Sequence, residues 1–120
     1  MKRTGKTNPR LDEVIRMLRT ASNTNEATIW REIACRLDTS SRNYAEVNIG
    51  KINRYAQGGE IILVPGKVLG SGVLDQSVRV AALNFSESAR EKIIQASGDC
   101  MTIEELVMAN PQGSRVRILR

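Results

Sequence analysis

Two short aliphatic runs stand out along the chain, Ile61-Ile62-Leu63-Val64 and Val78-Arg79-Val80-Ala81-Ala82-Leu83. They are nearly continuous rather than alternating, the pattern of strands covered on both faces. Between them, Val64-Pro65-Gly66-Lys67-Val68-Leu69-Gly70-Ser71-Gly72 gathers three of the nine glycines and one of the three prolines. The first strand is therefore expected to stop at Val64, and Gly66, Gly70 and Gly72 to mark sharp turns or close backbone approach at the centre of the fold, with close approach to a nucleic-acid backbone as a second role.

Helical spacing dominates elsewhere. Asn8-Pro9 offers an N-cap with proline at the first helical position, and Leu11, Val14, Ile15 and Leu18 follow on one face. Asn23-Thr24-Asn25 breaks that helix and caps a second, whose stripe is Ile29, Trp30, Ile33, Ala34 and Leu37. Trp30 at this spacing belongs to a core rather than to a base-stacking platform. A third helix is expected across Arg42–Ala56, started by a capping box of Asn43 and Glu46, with Val47, Ile52, Tyr55 and Ala56 inward and Gly58-Gly59 ending it. After the second strand, Ser88 with Glu91 caps a helix lined by Ala89, Ile93, Ile94 and Ala96 and closed by Gly98. Thr102 with Glu105 caps a short helix that ends at Asn110-Pro111. In a last strand, Arg115–Arg120, Val116 and Ile118 take one side and Arg115 and Arg117 the other. The sum is an α/β unit.

Length adds little except that 120 residues suit one domain. Residues 1–8 are expected to form a basic, flexible arm and residues 9–120 a single domain. Charge changes the picture more. The net value is +5 and the isoelectric point near 9.7, so the natural partners are anionic. Residues 1–19 carry a net +4 and residues 42–67 a net +2, whereas residues 20–41 sum to −1 and residues 68–120 to zero.

The composition also excludes chemistry. With no histidine, the usual general base, the Ser-His triad and most zinc sites disappear together. Cys35 and Cys100 form no second pair for a zinc knuckle, and read as small buried hydrophobes in a reduced setting, a disulfide being the less favoured alternative. A phosphate-binding loop would need glycine where Ile61 stands and Ser or Thr where Val68 stands; a dinucleotide fingerprint from Gly70 would need glycine in place of Asp75. No catalytic group, metal, cofactor or small-molecule substrate is expected. No apolar run suits a membrane span, and neither a secretory core nor a transit pattern follows Met1-Lys2-Arg3, so a soluble, cytoplasmic protein without membrane contact is expected.

The binding candidates are cationic. The arm supplies Lys2, Arg3, Lys6 and Asn8, with Arg10 at the start of the first helix. In the third helix Asn48, Lys51 and Arg54 recur every three residues, sharing a face with Arg42, and mixed amides and guanidinium groups are what backbone recognition uses. Lys67 enters the glycine stretch, and Arg115, Arg117 and Arg120 lie on the final strand, where edge protection is an equal alternative to phosphate contact. Only four aromatic residues are present, too few to read unstacked bases by stacking.

The runs Thr7-Asn8-Pro9-Arg10-Leu11, Ala45–Ile52, Val64–Gly72 and Asn110–Arg117, in that order, closely resemble the eighteen-e family of large-subunit ribosomal proteins, found in archaea and, as protein eighteen, in eukaryotes. Length and layout look like the archaeal branch. Lys67–Gly72, with Phe85–Ala89 and Ile93–Gly98, is also similar to the C-terminal domain of bacterial ribosomal protein fifteen. The resemblance implies a compact α/β domain of irregular β-β-α turns stacked into a small superhelical core, extended by N-terminal helices. It further implies a permanent, non-catalytic place on large-subunit rRNA, among neighbouring ribosomal proteins.

The expected role is thus phosphate neutralisation on a folded rRNA. If roughly eight of the named cations reach phosphates, affinity falls with salt at a log–log slope of about −5 to −7. An extra-ribosomal RNA-binding protein or RNA chaperone is the alternative, and an enzyme holding a phosphorylated ligand at the glycine stretch the more distant one.

Overall fold

A computed structural model describes residues 9–39, 45–56 and 58–120. Helices α1 (Pro9–Asn25) and α2 (Thr28–Thr39) come first. They are followed by β1 (Ala45–Asn48), α3 (Ile49–Tyr55), β2 (Ile61–Leu69), β3 (Arg79–Phe85), α4 (Glu87–Gln95), β4 (Asp99–Thr102), α5 (Ile103–Ala109) and β5 (Val116–Ile118). Every strand pairing is parallel. The order is β1-β2-β3-β4, with β5 also on β2. Because β3 runs along one edge of β2, β5 and β1 share the other edge end to end: β5 takes residues 61–63 and β1 takes residues 66–69.

Parallel sheets need cover on both faces, and the apolar positions divide accordingly. Alternate residues Ile61, Leu63, Ala81 and Leu83 join the stripes of α1, α2 and α5 in one core. Ile62, Val64, Val68, Val80 and Ala82 join Ile49 and Ile52 of α3 and Ala89 and Ile93 of α4 in the other. Trp30 is fully buried in the first core, and its indole Nε1–H donates to the Pro111 carbonyl at 2.7 Å, tying α2 to the turn before β5. The α/β class is as the sequence indicates.

Several local expectations change. The strand expected to end at Val64 continues to Leu69, because a register shift between Val64 and Lys67 absorbs Pro65 and the missing side chain of Gly66 admits the Ala45 backbone. The start of the expected third helix is instead β1: four residues alternating Ala-Glu-Val-Asn fit a strand, and pairing with Gly66–Leu69 decides it. Consequently Ile49 and Ile52 are buried in α3, while Tyr55, expected inward, is exposed. Ser86, not Ser88, caps α4, accepting the Ala89 N–H at 3.2 Å. Ile94 points outward, and Ser97, not Gly98, takes the left-handed conformation after the helix. Strand β4 was not expected at all. Cys35 is exposed and Cys100 half-buried, both free thiols rather than buried hydrophobes. The Thr102–Glu105 capping box is present in both directions, at 3.0 and 2.8 Å.

Candidate nucleic-acid interface

Of the proposed contact residues, Lys2, Arg3, Lys6, Asn8 and Arg42 lie outside the described residues, as does the expected arm. The remaining eight separate into three settings.

Arg10 is engaged within the protein. From the first turn of α1 its Nε and Nη2 donate to the two carboxylate oxygens of Glu104 at 3.1 and 3.2 Å, and its Nη1 donates to the Leu83 carbonyl at 2.9 Å. This fork clamps α1 to α5 and to the end of β3. Burial alone would raise the Glu104 carboxyl. The Arg10 hydrogen bonds, the residue's own backbone N–H, the guanidinium charge and the Thr102 hydroxyl outweigh it, and hold Glu104 below the usual carboxylate range.

The second setting is the outer face of α3 with the last residues of the chain. Lys51 and Arg54 are three apart on a helix whose Ile49 and Ile52 are buried, so they share its outer side. Lys51 Nζ donates to the main-chain oxygen of Arg120 at 2.5 Å, which brings Arg120 beside α3. Leu119 anchors that end, its side chain buried in the second core and its N–H donating to the Leu63 carbonyl at 3.0 Å. The Arg54 guanidinium lies 6.0 Å above the Tyr55 ring and is exposed. Arg115, in the left-handed region at φ 59°, is exposed at the mouth of β5. Arg117 is level with Ile62 and 3.7 Å from the Glu60 carboxylate. Among the described residues, Lys51, Arg54 and Arg120 therefore form a cluster that makes no ion pair with an Asp or Glu side chain, with Arg115 and the Glu60-paired Arg117 on the adjoining strand.

The third setting is the opposite side of the sheet. Lys67, the one exposed residue of β2, is in register with Glu46 and Asn84, both exposed. Glu46 and Asn48 alternate with the buried Val47, so they point away from the α3 face. The structure thus parts Asn48 and Lys67 from Lys51 and Arg54. The cause is the strand that replaced the first turn of the expected helix, since period two sends residue 48 where period 3.6 would not. Asn48 precedes α3 with an extended backbone and makes no side-chain cap.

Sequence reasoning missed Lys92. From α4 its Nζ donates to the carbonyls of Gly70 and Gly72 at 2.6 and 2.7 Å, and fixes the end of the glycine stretch. The only signal would have been its isolation on a helix whose other cation, Arg90, stacks 5.3 Å from the Phe85 ring. On the same side of the fold, Gln76 donates to the carbonyl and side-chain oxygens of Asn53 at 2.8 and 3.1 Å. Among the described residues no helix is long and apolar enough to cross a membrane.

Fold and surface together define a small basic α/β module that displays cations and amide groups around a parallel sheet. Its relatives specify it further. Residues 2–120 match the family described as ribosomal protein 60S L18 and 50S L18e. The chain is 71% identical over 115 residues to the large ribosomal subunit protein eL18 of Methanoregula boonei, covering 96% of this chain and 95% of the relative. It is 69% identical over 118 residues to that of Methanosphaerula palustris, covering 98% of each. It is 59% identical over 119 residues to that of Methanospirillum hungatei, covering 99% and 98%. The chain belongs to this family of large-subunit ribosomal proteins, and is a structural constituent of the archaeal-type ribosome in the cytoplasm.

Proposed function

We propose that the chain binds large-subunit rRNA directly, as a permanent and non-catalytic component that neutralises phosphates and holds a folded RNA region in shape. The observation that carries this reading is the cluster of Lys51, Arg54 and Arg120, cations that among the described residues pair with no Asp or Glu side chain and stand beside Ile49, Ile52 and Leu119, which are buried in the second core. Such groups are positioned at little entropic cost, and a polyanion is the partner they fit. The arm cations Lys2, Arg3 and Lys6, with Asn8 and Arg42, extend the same contact, and neighbouring ribosomal proteins complete the surroundings. Residues 1–8 act as the arm and residues 9–120 as one binding domain. Arg10 already serves Glu104 and Arg117 is shared with Glu60, so they add little. With about six phosphates contacted, the log–log salt slope is about −4 to −5, shallower than the full list of cations implies.

The test is co-sedimentation and binding. The reading expects the protein at one copy per large subunit in sucrose gradients, and binding to protein-free large-subunit rRNA with that slope. A protein found only outside the subunit would point to an extra-ribosomal RNA-binding or chaperone role. A slope near zero would remove the phosphate mechanism.

A further inference from the structure

The glycine stretch, which the phosphate-motif spacings rule out as a nucleotide loop, carries a different possibility in its backbone. Three successive carbonyls are turned into the protein. Gly70 and Gly72 accept from Lys92 Nζ at 2.6 and 2.7 Å, and Ser71 accepts from the Gly50 N–H, in the first turn of α3, at 3.0 Å. The peptide bonds are trans, and in a trans peptide the C=O of one residue and the N–H of the next point in opposite directions. The N–H groups of Ser71 and Val73 therefore point away from the Lys92 ammonium, and that of Gly72 points away from Gly50. All three residues are exposed, and among the described residues none of these N–H groups donates to an acceptor.

The loop is held in this state from below. A side chain at Gly70 would collide with Ser88 and the Ala89 backbone on α4. A Cβ at Gly72, whose φ is +104°, would lie 2.6 Å from Gly50 of α3. The loop is thus wedged between two helices, with the Lys92 ammonium against its carbonyls. Each of these peptides has its carbonyl, the negative end of its dipole, on a donor, and its N–H on the opposite side. Because the carbonyls of Gly70 and Gly72 converge on one ammonium, the N–H groups opposite them diverge. They suit successive oxygens along a strand rather than one ion. Gly72 brings no side chain to hold a partner at a distance.

We propose that Ser71, Gly72 and Val73 form a second rRNA contact in which peptide N–H groups donate to phosphate or ribose oxygens of the RNA backbone. This rests on the rRNA-binding reading above and adds to it a site that uses no charged side chain of its own at the contact. It reads the shape of the RNA, since backbone oxygens carry no base identity.

Proline removes one N–H without altering net charge, so Ser71→Pro and Val73→Pro are compared with Ser71→Ala and Val73→Ala for binding to protein-free large-subunit rRNA. Each proline variant is expected to bind about tenfold more weakly at fixed salt, the effect of one hydrogen bond to a charged acceptor. The salt slope stays that of the parent, and the alanine variants bind as the parent does. Amide hydrogen exchange on the unaltered protein decides the matter even if a proline variant fails to fold. The three amides exchange fast in the free protein and are expected to slow on the RNA. RNA binding with all three amides still exchanging fast, or alanine variants as weak as the proline ones, overturns this inference alone. Absence of any rRNA binding overturns it together with the reading beneath it.

Discussion

Arg10 and Arg54 are the same residue type, each on a helix packed against the sheet, yet their surroundings give them opposite uses. On the α1–α5 side, Arg10 meets a carboxylate with both prongs of its fork and a carbonyl with the third donor. On the α3 side, Arg54 leans on a tyrosine ring, and Lys51 beside it meets the main-chain oxygen of Arg120, with no Asp or Glu pair among the described residues. A guanidinium matched by a carboxylate contributes to the fold and little to the external field. One matched by neutral groups keeps its charge for a partner. The count of basic residues therefore overstates the count of RNA contacts, and the carboxylates decide which ones remain.

Substitutions can break this division at either end. The largest expected effect is on binding: reversing both Lys51→Glu and Arg54→Glu should lower rRNA affinity on the order of a hundredfold at moderate salt. The melting temperature should hardly move, since both side chains are on the outer face of α3. Equal affinity would make that face merely solvated. Arg10→Gln should do the reverse, destabilising the protein by about 1–2 kcal/mol because a half-buried carboxylate loses its fork, while affinity changes less than about twofold. Denaturant unfolding beside a binding titration measures both.

A smaller effect follows from Glu104. Its folded-state carboxyl titrates below the ordinary range, so its contribution to stability is present above the unfolded value, about pH 4.3, and is lost as pH falls through the lower folded one. Thermal unfolding followed downward from about pH 5 should show this loss in the parent. Arg10→Gln, which removes the main charge partner, should flatten it. An identical acid limb in both would mean that the clamp does not set the shift.

These contrasts also explain which features were legible in the sequence. The Thr102–Glu105 box was, because it is closed within a few residues, and so were the stripes of α1 and α2, because helical spacing alone marks which positions turn to the core. The identity of residues 45–48 was not: four residues are too few to separate a period of two from one of 3.6, and the pairing that decides it comes from Gly66–Leu69, far along the chain. Gly66 and Gly70 were correctly marked as places of close approach, but not which backbone approaches, since Ala45 and Ser88–Ala89 are distant in sequence. At the candidate site, the outer positions of Lys51 and Arg54 follow from helical spacing alone. That Arg10 is held by Glu104, 94 residues away, and that Lys92 supports the glycine loop, depends on how the layers meet.

The most direct measurement is the salt slope of rRNA affinity for charge-neutral variants. Lys51→Gln with Arg54→Gln should make the log–log slope shallower by about two, while Arg10→Gln should leave it within experimental error of the parent. An unchanged slope in the α3 pair, or an equal loss from Arg10→Gln, would contradict the claim that carboxylate pairing separates the cations that hold the fold from those that hold the RNA.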